Sequence, residues 1–255
     1  YYVIIVVTVQ TTLALLLAVV LNAPIKAKQF YRTLFYAPSV TSAVVISFIF
    51  WWLYLKTGYL NYGLSKIWGL FGAEWEAINW LNDPRGLFQL IVEGVTAGRV
   101  TIPSSQWYFR GPSITWMAIM AQNIFTTIPT FMLMFLAALQ DIPSSLYEAA
   151  SIDGANKRQQ FFQVTVPMLR PVLLLVIVLG TIGTWQIFDQ VAILTAGGPL
   201  DTTLTPVFFI YTEALGLNGP PRMGYASSRA IVLAIIILTF TFIQRRYIEG
   251  GTEQY

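Results

Sequence analysis

The chain has 255 residues, of which 56% are hydrophobic and only 11% charged, with a formal net charge of +3. Soluble domains carry about 25% charged residues, so water is not the main solvent of this protein. Cysteine and histidine are both absent, which excludes disulfides, thiol nucleophiles and the commonest metal ligand and general base, and no basic run resembles a nucleic-acid footprint.

Five apolar runs, near residues 1–21, 33–55, 114–138, 172–194 and 226–244, are long enough to cross a hydrocarbon core of ~30 Å, which takes roughly 20 helical residues. Lipid offers the backbone no partners, so spans are helices or closed barrels. Barrel strands alternate polar and apolar residues. VLLLVIVLG (172–180) and AIVLAIIILTFTF (230–242) do not, so the fold class is all-α, a polytopic membrane protein with five visible transmembrane helices. The first run begins at Tyr1 without an initiator Met or a basic leader, which points to numbering that starts partway through a longer chain.

The connections 22–32, 139–171 and 245–255 hold eight cations: Lys26, Lys28, Arg32, Lys157, Arg158, Arg170, Arg245 and Arg246. The longer connections 56–113 and 196–229 hold seven. Cytoplasmic loops are the ones enriched in Lys and Arg, so the first set is assigned to the cytoplasm, together with the C-terminus. Tyr1 then lies on the outer side, and a sixth span before it would return the chain to the cytoplasm. Trp51, Trp52, Tyr54, Tyr59 and Tyr62 are placed for an aromatic belt at the outer end of the second run; ordinary ring packing accounts for them equally.

The outer loop 56–113 is long for a connection. Within it GLFQLIVEGV (86–95) has apolar residues at helical spacing, while VTIPSSQWYFRGP (100–112) reads as irregular. A docking surface for an outer partner and a lid packed on the spans both fit. The third run carries Gln122, Asn123, Thr126, Thr127 and Thr130, with Pro129 as a local helix break.

Residues 142–167, IPSSLYEAASIDGANKRQQFFQVTVP, are polar and charged between two apolar runs. Pro143 suits a first turn and Ser144 or Ser145 can cap it. LYEAAS is helix-forming, and Gly154 most easily takes the left-handed conformation that ends a helix. KRQQFFQVTVP then reads as a second short helix. The element is therefore two short helices around a glycine hinge. An interfacial helix that merely joins two spans and a docking surface, suggested by Glu148 and Asp153 beside Ala149, Ala150 and Gly154, both remain open on these grounds.

The spacing E-A-A, three residues, then G resembles the EAA loop of binding-protein-dependent ABC importer permeases. LAALQDIPSSLYEAASIDGA, FFQVTVPMLRPV, FDQVAILTAGGPLDTT and GYASS before the last span are similar to the carbohydrate branch, the permeases for maltose, glycerol 3-phosphate and related sugars. LLLAVVLN, FYRTLFYAPSV and LNYGL agree, so the likeness covers nearly the whole chain. It implies a type I importer permease with about six spans, acting as a single transmembrane permease domain (1–255) in a bacterial or archaeal cytoplasmic membrane. The loop 139–171 would then be the cytoplasmic coupling element. Glu148, Ala149, Ala150, Asp153 and Gly154 would dock on a dimer of ATP-binding cassette subunits. The resemblance further implies a second, related permease subunit and an extracytoplasmic solute-binding protein. This chain would bind no cofactor of its own, with ATP and Mg on the partner subunits. The chain has no G-x-x-x-x-G-K-[ST] phosphate loop.

In such a permease the solute, a sugar, oligosaccharide or polyol, passes near the bilayer midplane, and polar residues inside spans are candidates for its path. Thr127 and Thr130 of the third run, and Trp185, Gln186 and Asp189 of the fourth, are those candidates. Trp185 offers an aromatic face, and Gln186 and Asp189, three apart, share a helix face. Back-bonding threonines and ties between spans are the bland alternatives. TAGGPLDTT (195–203) makes a tight outer turn, with contact to a binding protein as its functional extra. Arg229 departs from the small or apolar residue anticipated there and suits either an anionic or hydroxylated ligand or a snorkelling cation. The insert 93–113 also exceeds the common pattern. A gradient-driven carrier usually places ionisable residues mid-span, which this chain does not, and no acid–base or nucleophile set supports a membrane-embedded enzyme.

Overall fold

The computed structural model describes residues 1–24, 26–96, 102, 108–217 and 219–249. Its helices are α1 (Tyr2–Asn22), α2 (Lys28–Val40), α3 (Ala43–Tyr54), α4 (Tyr59–Leu70), α5 (Leu87–Val95), α6 (Ile114–Gln140), α7 (Ser144–Ile152), α8 (Lys157–Gln160), α9 (Val166–Met168), α10 (Arg170–Trp185), α11 (Asp189–Leu194), α12 (Pro206–Leu215) and α13 (Met223–Glu249), with a π turn, Phe161–Thr165, between α8 and α9. No strand occurs among the described residues, only a single bridge between Gly86 and Ser113.

Among the described residues, four helical stretches have the length and composition to cross a membrane: Tyr2–Asn22, Ile114–Gln140, Arg170–Leu194 and Met223–Arg246. The second apolar run departs from the sequence reading. Instead of one span over 33–55 it forms α2 and α3, bent 94° to each other. Pro38 lies inside α2, where it removes one amide donor and crowds the carbonyl four residues earlier. The hydroxyl of Ser39 takes the Tyr36 carbonyl at 2.8 Å, competing with the helix ladder. Along α13 the apolar Ile231, Ile235, Leu238 and Phe242 are all exposed, the surface of a chain that meets lipid or a partner rather than water.

Packing divides the chain into two compact units, the first comprising residues 1–4, 41–123 and 186–232 and the second 5–40, 124–185 and 233–255. The second unit has its core where Ala14 and Ala18 of α1 meet Phe131, Met132, Phe135 and Leu139 of α6, joined by Leu169 and Val176. Small residues one turn apart let two helices approach closely in a lipid-like setting.

In the first unit α3 packs on α11, around Tyr54, Ala118, Ile119, Ile187, Val191 and Phe208. Tyr54 is thus no belt residue. It is buried, and its hydroxyl donates to the Ala118 carbonyl at 2.9 Å; the other four belt candidates, Trp51, Trp52, Tyr59 and Tyr62, are exposed. Gln122 of α6 donates to Ser47 Oγ of α3 at 2.7 Å. Asn61, at 4% exposure, is the hub of the 56–82 segment. Its amide donates to the carbonyls of Lys56 (3.0 Å) and Ile78 (2.8 Å). Its carbonyl accepts from Ile78 N, Trp75 Nε1 and Trp80 Nε1 at 3.1–3.3 Å.

The 86–95 segment is helical as read, in α5. The irregular 100–112 segment lies largely outside the described residues. At its end, Arg110 accepts from Phe88 N at 3.0 Å and Pro112 from Leu87 N at 2.9 Å, so the base of the loop is closed by the backbone. Asp83 accepts from Arg85 Nη2 at 2.6 Å, and this hydrogen bond holds its carboxyl below the usual range.

Candidate coupling element and polar path

Glu148, Ala149 and Ala150 lie on α7, and Glu148, Ala149, Asp153 and Gly154 are exposed. Neither Ser144 nor Ser145 caps this helix. Pro143 occupies the cap position and both serines are inside the exposed first turn, with no side-chain cap bond. The C-terminal end follows the sequence reading closely. Gly154 has φ +80, Ala155 N donates to the Ala150 carbonyl at 2.8 Å and Gly154 N to Ser151 at 3.1 Å. This is the paired 6→1 and 5→2 bonding of a Schellman ending.

α8 starts from a capping box: Asn156 Oδ1 accepts from Gln159 N at 2.9 Å, and Gln159 Oε1 accepts from Asn156 N at 2.8 Å. The helix then widens. Val166 N donates to the Phe161 carbonyl, five residues back, immediately before Pro167, which has no amide to keep the narrower ladder.

Two polar ties join the arms across the Gly154 turn. Gln160, buried, donates to Ser151 Oγ at 2.8 Å and to the Ala155 carbonyl at 3.2 Å. Tyr147 Oη and Thr165 Oγ1 share a bond of 2.9 Å. These ties were not anticipated, because glutamine, tyrosine and threonine in a polar segment give no signal of their partners. With the ties on the inner side, the E-A-A face is left free. Ile152 stands 87% exposed beside it, an apolar contact surface that sequence reasoning also passed over.

The path candidates divide. Thr127 of α6 donates to Gln10 Oε1 of α1 at 2.8 Å, while Thr130 is exposed. Gln10 is 1% exposed and its Nε2 has no hydrogen-bond partner among the described residues. That amide lies where a Cβ on Gly180 would stand, 2.5 Å away, so glycine at 180 makes the room for Gln10. Its signal was legible in principle, since it is a lone amide in the run VIIVVTVQTTLALLL.

On α10, Thr181 Oγ1 accepts from Gln244 Nε2 of α13 at 2.8 Å. One turn on, Trp185 packs against Phe240 with centroids 5.7 Å apart. Trp185 Nε1, Thr241 Oγ1 and Gln244 Oε1 are buried without hydrogen-bond partners among the described residues. This seam between α10 and α13 thus keeps both a donor and an acceptor uncommitted, the equipment for hydroxyl groups.

Gln186 and Asp189 do not share a helix face. α10 ends at Trp185 and α11 begins at Asp189; Gln186 and Asp189 are both exposed. The Thr184 hydroxyl takes the Thr181 carbonyl at 2.8 Å, competing for the acceptor the next ladder bond needs. The Ile187 carbonyl, released by the break, accepts from Thr205 Oγ1 at 3.2 Å. Arg229 lies 3.4 Å from Glu213 and 4.3 Å over the Phe209 ring, so it is an ion-paired and ring-stacked cation. In the TAGGPLDTT turn Thr195 and Thr203 share a 2.8 Å bond and Ala196, Gly197, Leu200 and Asp201 have positive φ.

The described chain matches the model of the family "Binding-protein-dependent transport system inner membrane component" over residues 10–250. It is 34% identical over 241 residues to the lactose transport system permease protein LacF of Rhizobium radiobacter, covering 93% of this chain and 70% of that protein. It is 33% identical over 257 residues to the arabinooligosaccharides transport system permease protein AraP of Halalkalibacterium halodurans, covering 99% and 69%. In fold it resembles a crystal structure of a bacterial ABC transporter involved in the import of the acidic polysaccharide alginate, with a TM-score of 0.71 at 19% identity, over 98% of this chain and 77% of that one.

Proposed function

Because the chain belongs to the family of binding-protein-dependent transport system inner membrane components, we propose that it conducts a sugar or oligosaccharide across the cytoplasmic membrane of its cell, and that α7 to α8 receives the drive for that movement. It is a multi-pass permease subunit of an ATP-driven importer. Lactose and arabinooligosaccharide permeases among its relatives support the solute class. ATP hydrolysis, with its Mg, falls to a dimer of separate ATP-binding subunits. A second, related permease chain and an extracytoplasmic binding protein complete the assembly.

The observation that carries the coupling assignment is the exposed turn at the end of α7. Glu148, Ala149, Asp153 and Gly154 face outward while Gln160 and Tyr147 tie the element together from behind. Small side chains at 149 and 150 permit close approach of a partner surface. Glu148 offers a carboxylate to a basic or amide group, and Gly154 sets the turn. We assign residues 139–171 and the C-terminus to the cytoplasm and 56–113 to the outer side, within one permease domain spanning the chain. The solute path runs by Thr127 and Trp185, with Thr130, Gln186 and Asp189 as its exposed members.

The test is reconstitution with the ATP-binding subunits and binding protein in lipid vesicles. ATP-dependent uptake of radiolabelled lactose or arabinotriose is the expected result. Glu148→Ala and Gly154→Val should abolish it while leaving assembly in the membrane intact. Full uptake by both variants would overturn the coupling role. Failure of the wild type to take up either sugar, or maltose, would overturn the solute class.

A further inference from the structure

Helix α2 has two faces and no buried residue. Phe30, Leu34 and Ala37 recur at i, i+4 and i+7, with Tyr31 beside them, so they form one apolar stripe. All four are exposed, Phe30 at 65% and Leu34 at 56%. Lys28, Arg32 and Ser39 stand on the opposite side, with Gln29 and Tyr36 next to them. A contiguous apolar stripe of this kind marks a surface that something other than water covers.

The first residue of α2 fixes where that stripe lies. Lys28 Nζ donates to the Asn22 carbonyl at 3.1 Å, which pins the start of α2 to the last residue of α1. α1 is long and apolar enough to cross a membrane, so its end marks the edge of the hydrocarbon layer. The same end borders the back of the α7 to α8 element, since Asn22 and Ala23 line a cavity of about 220 Å³ together with Tyr147, Phe161 and Thr165. Charge then selects the lipid. No acidic residue precedes Glu74 in the chain, and neither Lys28 nor Arg32 has an ion-pair partner among the described residues. Lys28 keeps its charge while bonding Asn22, and Arg32, half-buried, keeps its own. Attraction to a negative surface acts over a Debye length of ~8 Å at physiological salt, so it needs nearness to headgroups and no contact with each one. A basic stripe opposite a Phe, Tyr and Leu stripe is the build of a helix that lies in the membrane interface.

We propose that α2 lies in the headgroup layer at the α7 to α8 end of α1, with Phe30, Tyr31 and Leu34 in the acyl boundary and Lys28 and Arg32 drawn to anionic phospholipid. The inference needs neither the sugar nor the direction of transport, only a bilayer around α1. It makes the corner between α1 and α2 an anchor on the lipid surface, set beside the element to which coupling is assigned above.

The chain has no cysteine, so an introduced thiol is its only labelling site. The experiment attaches a nitroxide at Phe30→Cys, Leu34→Cys, Gln29→Cys or Tyr36→Cys in the full assembly, built with cysteine-free partner subunits. The assembly is placed in vesicles of phosphatidylcholine with or without phosphatidylglycerol. Oxygen, which concentrates in the bilayer, should relax the labels at 30 and 34, and a water-soluble nickel chelate those at 29 and 36. Arg32→Gln should lower the docked-to-undocked ratio read at 34 about fivefold in the anionic vesicles and leave it unchanged in the neutral ones. Nickel access on both faces would overturn the docking. Shielding of 30 and 34 from both reagents would overturn it too, by placing a protein on the stripe. Equal ratios in the two kinds of vesicle would overturn the anionic class. ATP-dependent uptake in the same vesicles reads transport separately: uptake with α2 in water refutes the anchor and leaves import standing, and docking without uptake does the reverse.

Discussion

Gly154 gives the sharpest test of the proposed coupling element, because two usual causes of damage can be separated there. Its φ is +80, and among the described residues, its two chain neighbours aside, no atom lies within 4 Å of where a Cβ would stand. A substitution therefore meets no steric obstacle inside this protein and acts through the backbone alone. Holding an L-residue in the left-handed region costs about 1–2 kcal/mol, and about 1–3 kcal/mol for strained residues in general. Asparagine tolerates that region; valine, branched at Cβ, tolerates it worst. At 1.4 kcal/mol per factor of ten, Gly154→Ala should speed hydrogen exchange at the Schellman amides of residues 154 and 155 about 5–30-fold. Gly154→Asn should do so only two- to threefold, and Gly154→Val most. ATP-dependent uptake in vesicles should fall in the same order, Gly, Asn, Ala, Val. Exchange and uptake for Asn as impaired as for Val would refute the backbone argument and place the damage in a contact with the partner surface.

Three further outcomes follow from the geometry. Gly180→Ala puts a methyl 2.5 Å from Gln10 Nε2, and such overpacking costs about 1–3 kcal/mol; it should displace Gln10 from Thr127 and raise the half-saturation concentration for uptake, and unchanged uptake kinetics would remove Gln10 from the path. Asn61→Ala strips the acceptor from Ile78 N and from the indoles of Trp75 and Trp80, at up to about 1–3 kcal/mol for a donor left unpaired and less where water reaches it; thermal unfolding should shift far more than for Ser65→Ala, whose hydroxyl meets only the Tyr62 carbonyl of its own helix, and equal shifts would refute the hub. Asp83 is held below its usual value of 3.8 by Arg85, so it contributes stability above that pH that is lost as pH falls through its lower folded value; a melting-temperature drop between about pH 5 and pH 2 should be smaller in Asp83→Asn, and identical profiles would refute it.

The sequence was most informative where one residue sets a conformation alone. Gly154 was placed correctly because a positive φ is a property of glycine itself, and the E-A-A spacing before it fixed what the turn belongs to. Four of the five predicted spans were legible for the same reason, since run length needs no partner. The 94° bend between α2 and α3 was not, because an apolar run shows length but not where Pro38 and Ser39 together defeat the ladder. Gln186 and Asp189 were misjudged together. Their spacing of three implies one face only if the helix continues, and Thr184 ends the conditions for that three residues earlier. Gln160, Tyr147 and Gln10 act through partners far along the chain, so their residue types announced polarity without saying what it served.

The two ties across the Gly154 turn have a mechanical consequence. Two arms joined at one point can fold and unfold like a hinge, and a hinge absorbs motion. Adding Gln160 to Ser151 on one side and Tyr147 to Thr165 further out turns the pair into a braced triangle, which has no internal angle left to change. Displacement applied to Glu148 or Ile152 then has two polar ties, besides the backbone, by which to reach the second arm. The first place where the chain can yield is the widened turn at Phe161–Thr165, ahead of Pro167. If the element couples as proposed, lost play should accumulate there, so stiffening or loosening that turn would alter how much of each stroke arrives without altering where it is received.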